Sequence, residues 1–94
     1  MKLIDKPTRQ VDEKYLDYIR GLECIVCHRR PDPHHLVARG AGGSDYTAIP
    51  LCRLHHTEAH TLGKARFGER YGLDVWQCAC RCLGDYIGGE DGDR

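Results

Sequence analysis

Two chelating pairs, Cys24-x-x-Cys27 and Cys52-x-x-His55, limit the fold of this chain more than any other feature. Each puts two soft or borderline metal ligands on one tight turn, and together they make a closed Cys3His set of the kind that tetrahedral Zn²⁺ prefers. With 94 residues, the chain has length for one domain (1–94). An apolar core of that size rarely supplies more than roughly 3–5 kcal/mol of net stability. Structural zinc adds on the order of 10–16 kcal/mol of apparent binding energy in small peptides, which exceeds what such a core gives. The rival readings are buried small hydrophobes or a thioredoxin-like redox pair; the second expects a βαβ context that the pattern lacks.

Six cysteines would also allow a disulfide framework. The opening Met-Lys-Leu-Ile-Asp-Lys has no apolar run of signal-peptide length, and no stretch approaches a membrane span. The expectation is therefore a cytoplasmic chain with reduced thiols and no membrane partner. Fourteen basic residues balance fourteen acidic ones, so strong nonspecific attraction to nucleic acid is not implied. Locally the balance fails: the end of the chain is acidic and glycine-rich, while Arg53, Lys64, Arg66 and Arg70 gather near the histidines.

Apolar residues Val11, Tyr15, Leu16 and Ile19 recur at helical spacing and Gly21 offers a stop, which predicts an N-terminal helix over residues 11–22. Pro31 and Pro33 exclude helix around them. Residues 36–39 (Leu-Val-Ala-Arg) and 47–51 (Thr-Ala-Ile-Pro-Leu) read as two short strands of an antiparallel hairpin, joined by a wide loop rich in glycine. Pro50 confines the second to an edge. Residues 54–62 lack proline and glycine and read as a helix, and further helices are expected within residues 64–87, the last begun by a capping box of Asp74 and Gln77. Val75, Trp76, Ala79 and Leu83 would share a face there. Cys78, Cys80 and Cys82 read as small helical fillers, and residues 88–94 as a disordered tail.

Five of the six histidines fall in two groups, His34-His35 and His55-His56-x-x-x-His60. Helical residues four apart have Cβ atoms about 5–6 Å from each other, so His56 and His60 can reach one ion. His55, turned about a quarter of the circumference away, is free to serve the zinc. His34 and His35 in extended backbone point to opposite sides, and both are usable if one holds the ion and the other a water across the same phosphate.

The stretch 24–60 resembles the HNH endonucleases of the ββα-metal class, in particular the small zinc-knuckle forms common in phages and prophages. The likeness runs through Cys-x-x-Cys, Asp-Pro-His-His, Gly-Ala-Gly-Gly-Ser-Asp, Pro-Leu-Cys-Arg-Leu-His-His and Ala-His, in that order. It implies an α+β fold: a small ββα-metal (His-Me finger) core with a zinc knuckle, flanked by an N-terminal helix and C-terminal helices. It implies that Cys24, Cys27, Cys52 and His55 hold structural Zn²⁺. His34, with His56 and His60, would bind a catalytic divalent ion such as Mg²⁺, Mn²⁺ or Ni²⁺, and His35 would be the general base. An imidazole with pKa near about 6.5 can take a proton from water at neutral pH. The chain contains no asparagine, so the family's middle letter has no literal counterpart. Thr47 or Asp45 would brace the base instead, with Thr47 taken as the site residue beside His35, and Asp32 reads as a support to the neighbouring ligands or as structural.

The resulting expectation is a metal-dependent DNA endonuclease that leaves a 3′-hydroxyl and a 5′-phosphate. A monomer or weak homodimer is expected; with one site per chain a monomer would nick one strand, and cutting both would need a dimer or two encounters. Arg39, Arg53, Lys64, Arg66 and Arg70 are candidates for phosphate contacts, which position DNA without reading its sequence. The alternatives are a zinc-stapled nucleic-acid-binding module without catalysis, and a purely structural zinc protein.

Overall fold

The computed structural model describes residues 9–89. The architecture is α+β: a two-stranded antiparallel sheet with helices packed around it. Helix α1 (Glu13–Arg20) begins at Asp12, whose side chain accepts from the Tyr15 amide, and ends at Gly21. Strand β1 (Asp32–His35) pairs with strand β2 (Ala48–Leu51) in the register Asp32↔Leu51, Pro33↔Pro50, His34↔Ile49, His35↔Ala48. Helix α2 (Arg53–Leu62), helix α3 (Lys64–Tyr71) and helix α4 (Val75–Gly89) complete the chain.

The first strand lies earlier than the apolar pattern indicates, and His34 and His35 are within it rather than before it. Residues 36–39 leave the ladder: Leu36 still donates to the Thr47 carbonyl, but Arg39–Ala41 is already a 3-10 turn. The prolines explain the shift. Pro33 faces Pro50, and the Pro50 carbonyl points away from β1 to accept from the Ile25 amide. At such a pair the backbone donors would be directed out of the ladder, so two residues without N–H cost the sheet nothing.

Ile49 and Leu51 from β2 are buried with Leu36, Cys24 and Cys52 against Ala59 of α2, Phe67 of α3, and Val75 and Ala79 of α4. Asp74 accepts from the Gln77 amide, as the capping box predicts. Trp76 leaves the expected apolar face and is 44% exposed, with the Lys64 ammonium 6.0 Å from its ring centroid. Cys78 and Cys82 are half-buried and Cys80 is exposed. Helix α4 also runs through Gly88 and Gly89, which the sequence reading assigned to the tail; residues 90–94 of that tail lie outside the described residues.

The long hairpin loop is tied down at its middle. Gly43 donates to the Ala38 carbonyl, and a Cβ built on Gly43 would sit 1.8 Å from the Val37 carbonyl oxygen. Gly43→Ala is therefore expected to displace the loop and lower stability by about 1–3 kcal/mol, the usual cost of overpacking. Thermal unfolding checks it; an unchanged melting temperature would mean that the loop does not pack in this way.

A second tether comes from aromatic packing. Tyr15 of α1 meets Tyr46 of the loop and Tyr86 of α4 at centroid distances of 5.3 and 5.0 Å, and the Tyr46 hydroxyl donates to Asp12. The N-terminus of α1 is thereby held against the Asp45–Thr47 turn, beside His35.

Candidate metal centres

The turn after α1 closes as a knuckle. The Cys24 amide donates to the Arg29 carbonyl, the His28 amide donates to the Cys24 carbonyl, and His28 takes a left-handed conformation with φ 67°. Cys52 then stands immediately before α2, where its carbonyl accepts from the His56 amide, and His55 lies in the first turn of that helix. The ligand atoms of Cys24, Cys27, Cys52 and His55 all lie within 4.8 Å of one another. Individual separations are 3.6 Å for Cys27 Sγ to Cys52 Sγ, 3.3 Å for Cys52 Sγ to His55 Nδ1 and 3.7 Å for Cys24 Sγ to His55 Nδ1. Tetrahedral zinc with bonds of about 2.3 Å to sulfur and 2.0–2.1 Å to nitrogen separates its ligands by about 3.5–3.8 Å, so the donor set fits that ion.

The electrostatics agree with the geometry. Burial alone would raise the Cys24 thiol, but backbone amides of Cys27, Cys52 and Val26, with His55, outweigh it and bring the pKa down to about 6. A thiolate, the form that binds metal, is favoured in place.

One residue further along α2 the side chains turn to a second centre. His34 projects from β1 between His56 and His60, with ring centroids 4.7 and 5.1 Å away, and His56 and His60 stack at 5.0 Å. Their three ligand atoms also lie within 4.8 Å of one another. His34 is only 8% exposed, and its Nδ1 has no hydrogen-bond partner among the described residues. Burial, then the neighbouring imidazoles of His56 and His60, push its pKa down to about 4; burial and His60 likewise lower that of His56. Both rings therefore keep free lone pairs at neutral pH, as metal ligation requires.

His35, next along β1, turns the other way and meets a buried acid. Its Nε2 lies 2.8 Å from Asp45 Oδ1, and Asp45 is completely buried. The Arg9 guanidinium donates to the same oxygen at 2.8 Å, and the Asp12 amide to Oδ2 at 2.7 Å. Burial raises the Asp45 pKa, but the bonds from His35, Asp12 and Arg9 prevail and hold it at about 2. The carboxylate is thus ionised at any pH above about 4. Of the two candidates for bracing His35, Asp45 makes the contact. Thr47 donates instead to the Ser44 carbonyl at 2.8 Å and closes the turn that carries Asp45.

His34, His35, His56 and His60 line one cleft of about 280 Å³ together with Arg39, Pro33 and Ala38. An adjoining depression adds Arg53, Arg20 and Asp32, with Arg53 Nε 3.4 Å from an Asp32 oxygen. Lys64 is close enough to disfavour protonation of His34. Arg66 and Arg70 are elsewhere: they line a separate depression with Leu62 and Glu69, and Arg70 pairs with Glu58 at 3.2 Å. The basic group read from the sequence is thus divided. Arg9 and Arg20 were missed, since neither lies near the histidines in the chain.

The family described as "Protein of unknown function (DUF968)" matches residues 2–85. The chain belongs to this family. It is also similar to "Uncharacterized protein YdfU" of Escherichia coli (strain K12), with 41% identity over 81 residues, covering 80% of this chain and 23% of that protein. The chain thus spans less than a quarter of that relative's length. No solved structure matches it. Among the described residues of this DUF968 chain, no helix is long and apolar enough to cross a membrane.

Proposed function

We propose that this DUF968 chain is a metal-dependent DNA endonuclease of the HNH type, with β1, β2 and α2 as its ββα-metal core. In this reading Cys24, Cys27, Cys52 and His55 hold structural zinc, and His34, His56 and His60 hold a catalytic divalent ion. The observation that carries the reading is the pairing of His35 with buried Asp45, on the rim of a cleft that also contains a three-histidine set. A structural zinc protein has no need of that second arrangement.

The residues divide the chemistry among them. When bound, a divalent ion supplies Lewis-acid polarisation of the phosphodiester and stabilises charge on the departing oxygen. An ionised carboxylate can only accept, so Asp45 keeps the hydrogen of His35 on Nε2 and leaves Nδ1 bare. Nδ1 then takes the proton of the attacking water, a role that contributes typically about 10²–10⁴-fold. Arg9 and the Asp12 amide hold Asp45 in turn, so the base is oriented by groups from a different part of the chain.

Asp45 is thus a positioning residue, and two substitutions test that. Asp45→Ala strands the Arg9 and Asp12 donors, which costs about 1–3 kcal/mol, and frees His35 to turn. Nicking is expected to fall by about 10–100-fold, the usual effect of losing an orienting partner. Asp45→Asn restores most of the nicking, because its Oδ1 still accepts from His35 and Arg9, while the Asp12 contact stays lost. If the two variants nicked equally well, Asp45 would serve stability alone.

Supercoiled plasmid incubated with the zinc-loaded protein and Mg²⁺, Mn²⁺ or Ni²⁺ tests the reading as a whole. Conversion to nicked circles is expected with at least one of these ions. Retarded plasmid that stays supercoiled with all three would point to the binding module instead.

A further inference from the structure

We infer that a DNA strand lies along one arginine-lined track that crosses the three-histidine set, with Arg39 gripping phosphate on one side and Arg53, Arg29 and Arg30 on the other. The choice of DNA rests on the nuclease reading; the track itself rests on continuity and charge.

Three depressions join end to end. The histidine cleft shares Pro33, His56 and His60 with the depression beside it, and that depression shares Arg53 and Thr57 with a third, lined by Arg29, Arg30, Cys52 and Leu54. The chain as a whole is neutral, yet this path carries unopposed cations. Arg29, Arg30 and Arg39 are exposed and make no ion pair with any described residue. Arg53 meets Asp32 only through a long Nε contact, and its side chain is 86% exposed. Arg20 is already engaged by Asp17 at 2.6 Å and contributes less. Asp32 is an acid on this path, outnumbered by Arg20, Arg29, Arg30, Arg39 and Arg53. A groove with such an excess of cations attracts a polyanion, and cations on both sides of the histidines hold the strand on either side of the bond to be cut. Leu54, 61% exposed in the third depression, offers an apolar contact for a sugar or base beside the phosphates.

The experiment measures affinity of the zinc-loaded chain for a fluorescein-labelled DNA duplex by anisotropy across a KCl series, without added divalent ion. Each phosphate contact contributes about 0.9 to the slope of log K against log salt, so Arg29→Gln with Arg30→Gln is expected to reduce the slope by about 1.8. Arg81→Gln, an exposed change on α4 away from the track, is expected to leave it unaltered. An unchanged slope in the double variant, an equal loss in Arg81→Gln, or no binding of the duplex by the parent would overturn the track. Hydrolysis of bis(p-nitrophenyl) phosphate by the parent with Mn²⁺ examines the cutting centre without flanking phosphates. If the slope falls as expected but supercoiled plasmid is left uncut with Mg²⁺, Mn²⁺ and Ni²⁺ alike, the track stands and the nuclease reading fails.

Discussion

Cys24→Ser is expected to leave the chain unfolded at room temperature, with zinc released to a chromogenic chelator. Cys24 is fully buried in the core and is one of the four residues that converge on the proposed zinc. A domain of this size is stable by roughly 5–15 kcal/mol, whereas structural zinc supplies on the order of 10–16 kcal/mol of apparent binding energy. Losing a thiolate ligand therefore removes a contribution comparable to the whole stability. Far-ultraviolet circular dichroism and a zinc assay read both consequences together. His60→Ala makes the contrast, because His60 is exposed near the end of α2 and belongs to the other centre. Its melting temperature should stay close to that of the parent. Equal collapse of the two variants would mean that the ligands are not divided between a structural and a catalytic ion.

The second large effect concerns cutting. His35→Ala is expected to lower plasmid nicking by about 10²–10⁴-fold, the range for losing a positioned general base. The fold should survive, since the Asp45 carboxylate keeps its bonds from Arg9 and the Asp12 amide. Rates with saturating divalent ion, alongside a melting curve, separate the two effects. Nicking at the parental rate by a folded His35→Ala protein would remove His35 from the chemistry and leave water activation to another group.

How much of this was legible beforehand follows from the range of each interaction. Cys24-x-x-Cys27, Cys52-x-x-His55 and the i, i+4 pair His56 and His60 are local patterns, so these candidate ligands could be read from spacing alone, whereas His34 entered through the family resemblance; the structure brings together the same two sets. The partition between His55 and His56 needed only the helical turn angle. The first strand was misplaced because the reading followed the apolar run of residues 36–39, and only the pairing of Pro33 with Pro50 reveals that the ladder loses no donor at the prolines. The brace on His35 was narrowed to Asp45 or Thr47, with Thr47 taken as the site residue, whereas the contact is made by Asp45. What decides it is Arg9, thirty-six positions from Asp45 and drawn to it by the packing of α1 on the loop. No periodicity or motif encodes such a contact. The same is true of the arginines: clustering in sequence grouped Arg66 and Arg70 with the histidines, while α3 carries them to a different depression.

In the proposed function two ions do different work in one chain: zinc holds the fold and a second, histidine-bound ion is needed for cutting. Metal content and nicking measured on the same samples test it most directly. The parent should retain one zinc per chain through dialysis, bind a second ion on titration with Mn²⁺ or Ni²⁺, and nick plasmid in proportion to that second occupancy. His56→Ala should keep its zinc and its melting temperature but lose the second ion and the nicking. Undiminished nicking by His56→Ala, or nicking by the parent with zinc as the sole bound ion, would contradict the account.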